Sequence, residues 1–295
     1  MHDTPDDIAT EAFVDHRELL FSIVYNLLGS VADTEDVLQE TWLSWASRSR
    51  DGIDGIENPR AYLVRIAVNH ALARQSSIRR RRETYIGPWL PEPLVTGAAD
   101  HAERAESVSM ALLVVLETLT PLERAVFVLH EVFGYPHTEI AGILGRSPAA
   151  VRQVAHRARE HVLARRPRYQ ADPNVQRQVT ERFLHAIIGG DLEALLRVLA
   201  PDVTLWADGG GKAVAAGLRP LHGRDKIARL IIAISHRRPL ANLNIRYRTV
   251  NGDPSALLFS GDAPFAVIVL DLTPDGEHVS GIYTVTNPDK LARLS

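Results

Sequence analysis

The chain of 295 residues predicts a multi-domain fold, two all-α modules followed by an α+β module. Three observations carry that reading. As far as about residue 168, apolar residues recur at helical spacing between Gly, Pro and Ser punctuation. Beyond residue 200 the pattern changes to short alternating runs, which mark strands. The arginines gather in two blocks separated by a proline- and glycine-rich stretch, so each block belongs to its own helical module.

Composition narrows the chemistry. Apolar runs such as Ala111 to Leu116 fall far short of the ~20 residues that a membrane span needs. The start is acidic (Asp3, Asp6, Asp7, Glu11), opposite to a signal peptide. No cysteine is present, which excludes disulfides and thiolate metal sites, and no His-x-x-x-His pair occurs. No metal, cofactor or membrane contact is therefore expected, and the compartment is read as cytoplasmic. The net charge of −3 conceals strong patterning. Met1 to Glu57 holds 13 acidic and 3 basic residues, Asn58 to Arg82 holds 7 arginines and no acid, and Gly145 to Arg168 holds 7 arginines against Glu160. Local basic patches of this kind suit a polyanion such as nucleic acid.

In chain order, Phe13, Leu20, Ile23, Val24 and Leu27 give a first helix that Gly29 and Ser30 end. A second helix from Asp33 to about Ser47 has acids in its first turn, where the dipole favours them. Val37, Leu38, Trp42 and Trp45 are its apolar residues, and Asp36, Gln39 and Glu40 its polar surface. Pro59 opens a third helix with Leu63, Ile66, Ala67, His70 and Leu72 around its inner side, ending in Arg79, Arg80, Arg81 and Arg82. Residues 86–104 read as a stiff linker, with Trp89 and Leu90 exposed unless they dock. A helix through Met110–Leu119 and another from Pro121, with Leu122, Val126, Phe127 and Val132 inward, form a scaffold for the next two helices.

From His137 to Arg159 a short helix, a Gly145-Arg146-Ser147 turn and a longer helix from Pro148 form a helix-turn-helix pattern. Gly145 accepts positive φ, Ser147 can cap, and Pro148 suits a first turn. Val151, Val154, Ala155, Ala158 and Val162 share one stripe, whereas Arg152, Gln153, His156, Arg157 and Arg159 share the other. Arg can pair with guanine and Gln with adenine in a major groove. A solvated amphipathic helix is the plain alternative.

The blocks DTEDVLQETWLSW (Asp33–Trp45), NPRAYLVRIAVNHA (Asn58–Ala71) and TPLERAVFVLHEVFGYPHTEIAGILGRSPAAVRQVAHRAR (Thr120–Arg159) resemble regions 2 and 4 of bacterial sigma factors of the extracytoplasmic-function type. The resemblance implies a region 2 domain over 6–85, the linker over 86–104, and a region 4 helix-turn-helix domain over 105–168. By position it implies that Asp36, Gln39 and Glu40 meet the polymerase β′ clamp, with the β flap as a further partner on core RNA polymerase. Promoter DNA would meet Asn58, Arg60, Arg65, Arg74, Arg79, Arg80 and Arg81 at the −10 element. Arg146, Ser147, Arg152, Gln153, His156, Arg157 and Arg159 would read the −35 element. The loop between Arg48 and Asn58 would hold an unstacked −10 base, with Asn58 as the pocket residue.

The last module, 171–295, opens with VQRQVTERFLHAII and DLEALLRVLA as helices, the latter stopping before Pro201. VTLWAD comes next as a strand, RDKIARLIIAIS as a helix, and then four strand-like runs. Helices before a curled antiparallel sheet resemble the SnoaL-like branch of the nuclear-transport-factor-2 (NTF2-like) cone, whose cavity leaves room for a small-molecule ligand. WLPEP (Trp89, Leu90, Pro91, Glu92, Pro93), DGGGK (Asp208, Gly209, Gly210, Gly211, Lys212) and NPDKL (Asn287, Pro288, Asp289, Lys290, Leu291) together resemble the sigma-factor group with a fused SnoaL-like domain. In that group the domain is read as a built-in regulator, so no separate anti-sigma factor is expected. An interdomain contact is expected in which Lys212 pairs with Glu92 and Trp89 inserts beside the glycines.

Two rivals compete with this reading. A helix-turn-helix regulator with a ligand-binding C-terminal domain leaves the acidic Asp33–Trp45 helix and the first arginine block unexplained. An enzyme would use Asp208, His222, Tyr247, Asp271 and Tyr283, but fold likeness alone confers no activity.

Overall fold

The structure, a computed structural model, describes residues 5–50, 56, 58–96, 108–165, 171–213, 217–237 and 243–294. The chain forms two compact units. The first comprises Met1–Glu83, Ala102–Val108 and Val115–Pro167; the second comprises Thr84–His101, Ser109–Val114 and Arg168–Ser295.

In the first unit, α1 (Pro5–Leu28), α2 (Val31–Arg50) and α3 (Pro59–Glu83) pack on one another. All five apolar positions read from α1 are buried, and Trp45 of α2 is fully enclosed, its indole N–H donating to Ala9 O at 2.8 Å. The inner stripe of α3 is Leu63, Val64, Ala67, Val68 and Ala71. Ile66, His70 and Leu72 lie at its half-buried margin, so the inner face is turned by about one residue from the expected one. Thr120 and Glu123 form a reciprocal capping box at the start of α5 (Pro121–Phe127). A π-helical turn, Val128–Val132, continues it towards α6 (His137–Leu144) and α7 (Pro148–Arg165). Although the sequence separates the two helical modules, α3 packs against α5 and α6 within this one unit.

The second unit has α8 (Pro173–Ile188), α9 (Leu192–Val198) and α10 (Arg224–Arg237) against a seven-stranded sheet. Its strands are β1 (Val95–Thr96), β2 (Leu199–Asp208), β3 (Leu221–His222), β4 (Asn244–Val250), β5 (Asp253–Ser260), β6 (Ala263–Leu272) and β7 (Val279–Val285), in the order β1-β4-β5-β6-β7-β2-β3. The sheet is mixed, since β2 runs parallel to β7 while the other neighbours are antiparallel. The strand β2 also starts earlier than expected and runs through Pro201. Its pairing with β7 shifts register between Leu199 and Thr204, where a residue without an N–H is tolerated.

Both sheet faces are buried, which explains why β5 and β6 read as nearly continuous apolar runs. Leu258, Ala266 and Ile268 face the helices. Leu257, Phe259, Val267 and Val269 face the other way, onto Leu90, Met110 and Ala111. Those last three belong to the stretch expected to be a linker and to the start of α4 (Met110–Leu116). Leu90 and Met110 are fully buried, and Val95 pairs with Val250 at the sheet edge. The stretch therefore behaves as part of the second unit as far as Thr96. Residues 97–107 lie outside the described residues. Among the described residues no helix is long and apolar enough to cross a membrane.

Candidate functional site

The helix-turn-helix is built as its punctuation requires. Gly145 takes φ 61° at the end of α6, and Ser147 Oγ accepts from Ala150 N at 3.2 Å at the start of α7. Val151, Val154, Ala155, Ala158 and Val162 are buried, while Arg146, Ser147, Arg152, Gln153, His156 and Arg157 are exposed. That leaves an exposed, donor-rich face on a rigid helix. Arg159 differs, because its guanidinium Nε donates to Glu131 at 3.0 Å, tying it down beside the π-helical turn. His137, beside this basic face, is held below its ordinary pKa by desolvation and by the charges of His130, Arg152 and Arg159.

The face on α2 and α3 is more internally paired than its sequence suggests. Asp36, Gln39 and Glu40 are exposed together, as expected. Asp36 and Glu40, however, accept from Arg74, which also donates to Asp33 at 3.0 Å. Arg81 donates to both oxygens of Asp33, at 2.7 and 2.8 Å. Burial alone would raise the Asp33 pKa, but the bonds from Arg74 and Arg81 hold it below the usual carboxylate range. Two of the arginines expected on DNA are thus engaged with acids of α2, whereas Arg60, Arg65, Arg79 and Arg80 are exposed. Asn58 caps α3, accepting from Ala61 N at 2.9 Å, and this gives it a structural task the sequence reading missed. The base-holding loop falls on 51–55 and 57, outside the described residues. Beside α3, Ser44, Tyr62, Arg65, Asn69 and His70 line an open depression of about 530 Å³.

Arg124 of α5 is almost fully buried. Its guanidinium donates to Asn26 O at 2.9 Å and to Glu117 at 2.6 Å, while Nη2 has no hydrogen-bond partner. Arg82 of α3 pairs with the same Glu117 and donates to Leu28 O at 3.0 Å. Desolvation pushes both arginines down to about 9, Arg82 being lowered further by the nearby Arg124, yet both remain protonated at neutral pH. One carboxylate therefore serves a buried and a half-buried cation, joining the ends of α1 and α3 to α5.

In the second unit, the three short motifs meet at Asp208, which is fully buried at the end of β2. One carboxylate oxygen accepts from the Tyr85 hydroxyl and from Gly210 N at 3.1 Å. The other accepts from Leu90 N at 2.9 Å and Lys290 Nζ at 2.6 Å. Lys290 also donates to Leu90 O and lies 3.5 Å from the centroid of the Trp89 ring. The pair is thus surrounded by the bonds and ring contact that a buried charge needs. Asn287 caps α11 (Pro288–Leu291) and donates to the Tyr85 hydroxyl at 2.8 Å. Burial and the Asp208 carboxylate push the Tyr85 phenol up, keeping it a neutral donor.

The glycines explain the close approach. A Cβ on Gly210 would overlap the Asn287 amide, and one on Gly211 would stand 2.9 Å from Ile86; both residues have positive φ. The expected contacts are corrected here. Lys212 pairs with Asp289 at 2.6 Å and not with Glu92, which is buried elsewhere in the unit. Ile86 stands against Gly211 and Asn287 against Gly210. The contact expected between domains forms inside one unit, because residues 84–96 fold with the sheet. Tyr85 and Asn251 were missed. Asn251, at φ 51°, accepts from Leu94 N at 3.2 Å and completes the hold on this segment.

A cavity of about 330 Å³ lies between α8, α10 and the sheet. None of Asp208, His222, Tyr247, Asp271 and Tyr283 lines it. Asp208 is committed to Lys290, His222 contacts Thr204 Oγ1 at 3.0 Å, and Tyr283 stacks on Trp206 at 4.8 Å. These five candidates therefore form no constellation around this cavity.

Known proteins match both helical modules. Residues 12–84 match the model for Sigma-70 region 2, and residues 109–162 match that for Sigma-70, region 4. The chain is 39% identical over 288 residues to the ECF RNA polymerase sigma factor SigJ of Mycobacterium tuberculosis, covering 93% of this chain and 90% of that protein. It is 30% identical to a probable ECF RNA polymerase sigma factor, SigI, of the same species, covering 98% and 96%. The crystal structure of Mycobacterium tuberculosis SigJ superposes with a TM-score of 0.76 at 34% identity, over 96% of this chain and 98% of that one.

Proposed function

The chain belongs to the ECF RNA polymerase sigma factors, and from that premise we propose that it binds core RNA polymerase, directs initiation at its own promoters and is regulated by its second unit. The observation that carries the regulatory part is the Asp208–Lys290 pair. It holds Leu90, within the stretch of chain that links the two sigma modules, by backbone N–H and C=O together.

Each surface has a task in this reading. The α7 face, through Arg146, Ser147, Arg152, Gln153, His156 and Arg157, reads the −35 element, with Arg159 reserved for positioning by Glu131. Asn58, Arg60, Arg65, Arg79 and Arg80 take −10 phosphates and bases, supported by the Tyr62 depression, where a base could stack. Asp36, Gln39 and Glu40 meet the β′ clamp, and region 4 meets the β flap. When they do so, Arg74 exchanges its acids for DNA phosphate, a swap of one anion for another. The chain acts where polymerase acts, in the cytoplasm. Chemistry is left to the polymerase. With regulation built into the chain, a separate anti-sigma protein is not needed for control.

Run-off transcription with core polymerase tests this. Discrete start sites should arise with the native chain, and Arg152→Ala should lower output by about tenfold, in line with loss of one bidentate base contact. Failure to start RNA at any discrete site contradicts the reading.

A further inference from the structure

The sheet of the second unit has a strand that is only partly covered. Strand β4 pairs with β5 along its whole length, Asn244 to Val250, but β1 reaches only Thr249 and Val250 on the far side. Among the described residues no strand pairs with the outer edge from Asn244 to Arg248, about 17 Å of backbone. In an antiparallel ladder every second residue of such an edge turns its N–H and C=O outward, so the stretch presents a row of unmade bonds. Arg248 Nη1 donates to Tyr247 O at 2.9 Å, a side chain bonded to the backbone of its own strand.

The side chains of this edge define what suits it. Ile245 and Tyr247 turn towards the helices and pack on that core. On the same side Arg177 lies 6.0 Å from the Tyr247 ring centroid and is already paired with Glu181 at 3.1 Å. Arg246 and Arg248 turn to the opposite face. Arg246 lies 4.1 Å from the centroid of the Phe259 ring, and neither arginine has a carboxylate within ion-pair reach among the described residues. Pairing β4 of one copy with β4 of another would gather the arginines of both on one face, which disfavours a second copy as the occupant. Carboxylates at alternate positions of an incoming strand answer those charges instead.

We propose that the free edge of β4 binds an extended acidic peptide of another protein by strand addition. Its carboxylates, at alternate residues, face Arg246 and Arg248, and the apolar residues between them lie beside Ile245 and Tyr247. The peptide follows the course that β1 begins on the same edge, so it continues a pairing the chain already makes. This binding does not rest on the regulatory reading above, and it is measured without polymerase.

Fluorescence anisotropy of a labelled hexapeptide, Thr-Glu-Val-Glu-Val-Thr, titrated with the full chain tests this. The peptide should bind saturably, and Thr-Lys-Val-Lys-Val-Thr at least about tenfold more weakly, since each Lys meets an arginine across the strands. Methylating the amide nitrogens of both Glu residues, or else of both Val residues, removes one alternate set of backbone donors. One of these two peptides should lose binding and the other keep it. Arg248→Glu and Arg246→Gln should each weaken the acidic peptide several-fold while thermal unfolding stays cooperative. If Arg246→Gln, which gives up the Phe259 contact, fails to fold, Arg248→Glu decides. Equal binding of the acidic and basic peptides, unchanged affinity in folded Arg248→Glu, or an equal response to the two methylation patterns overturns the proposal. So does sedimentation of the chain as a dimer whose stability Arg248→Glu changes.

Discussion

Each unit buries charge, and the two do so differently. In the first, Glu117 lies between Arg82 and Arg124, so one anion faces two desolvated cations and Arg124 keeps an unbonded nitrogen. In the second, Asp208 and Lys290 balance one another, and each finds further partners in the same short segment. A buried ion pair contributes little net stability, yet removing one partner is severe. The difference teaches that both are devices for joining distant parts of the chain. The first joins the two sigma modules by a cluster with surplus charge; the second holds a single segment by a neutral, fully bonded pair.

Breaking the first cluster should have the larger effect. Glu117→Gln takes the carboxylate from the buried Arg124 and the half-buried Arg82 and should cost about 4 kcal/mol in urea unfolding, within the range for a broken buried pair. A cost below about 1 kcal/mol would show that water reaches the site. Lys290→Met leaves only Asp208 unpaired, with Tyr85 and two backbone N–H groups still donating to it, and should cost about 3 kcal/mol. Adding Asp208→Asn to it should recover part of that loss, a coupling that a double-mutant cycle reads directly.

A smaller effect tests why the three motifs fit together. Gly210→Ala combines positive φ with overlap on Asn287 and should cost about 1–3 kcal/mol in the same urea unfolding. Gly145→Ala, strained in φ alone, has open space around its Cβ and should cost less.

The smallest effect is the pH response of the half-open Asp33 cluster. Its folded pKa is depressed, so its contribution is present above the unfolded value and is lost as pH falls. Asp33→Asn should therefore destabilise the chain at neutral pH. The gap to the native chain should close as pH drops below about 4, the ordinary carboxylate value. A gap that is constant with pH would assign the effect to packing.

Local features were legible in sequence. The buried stripe of α7, the turn at Gly145 and Ser147, the helix start at Pro121 and the apolar runs of β5 and β6 all follow from periodicity and backbone preference. Long-range pairing was not. Arg124 sits in PLERAVF like any surface arginine, and nothing local announces that Glu117 and Arg82 will enclose it. Asp208 and Lys290 lie 82 residues apart. The short motifs marked them, but not which side chain meets which, so Lys212 was paired with the wrong acid. Residues 86–96 misled for a related reason. Their prolines describe an extended chain equally well in water or against a sheet, and only the burial of Leu90 on the second sheet face separates the two.

The central claim is that the Asp208–Lys290 pair controls initiation by holding the segment between the sigma modules. Run-off transcription with core polymerase, comparing the native chain with Lys290→Met at a temperature where both are folded, tests it most directly. Output should change several-fold for Lys290→Met, while Lys212→Ala, whose exposed ion pair lies outside the buried pair, should stay close to native. Equal output from the native chain and Lys290→Met would contradict the claim.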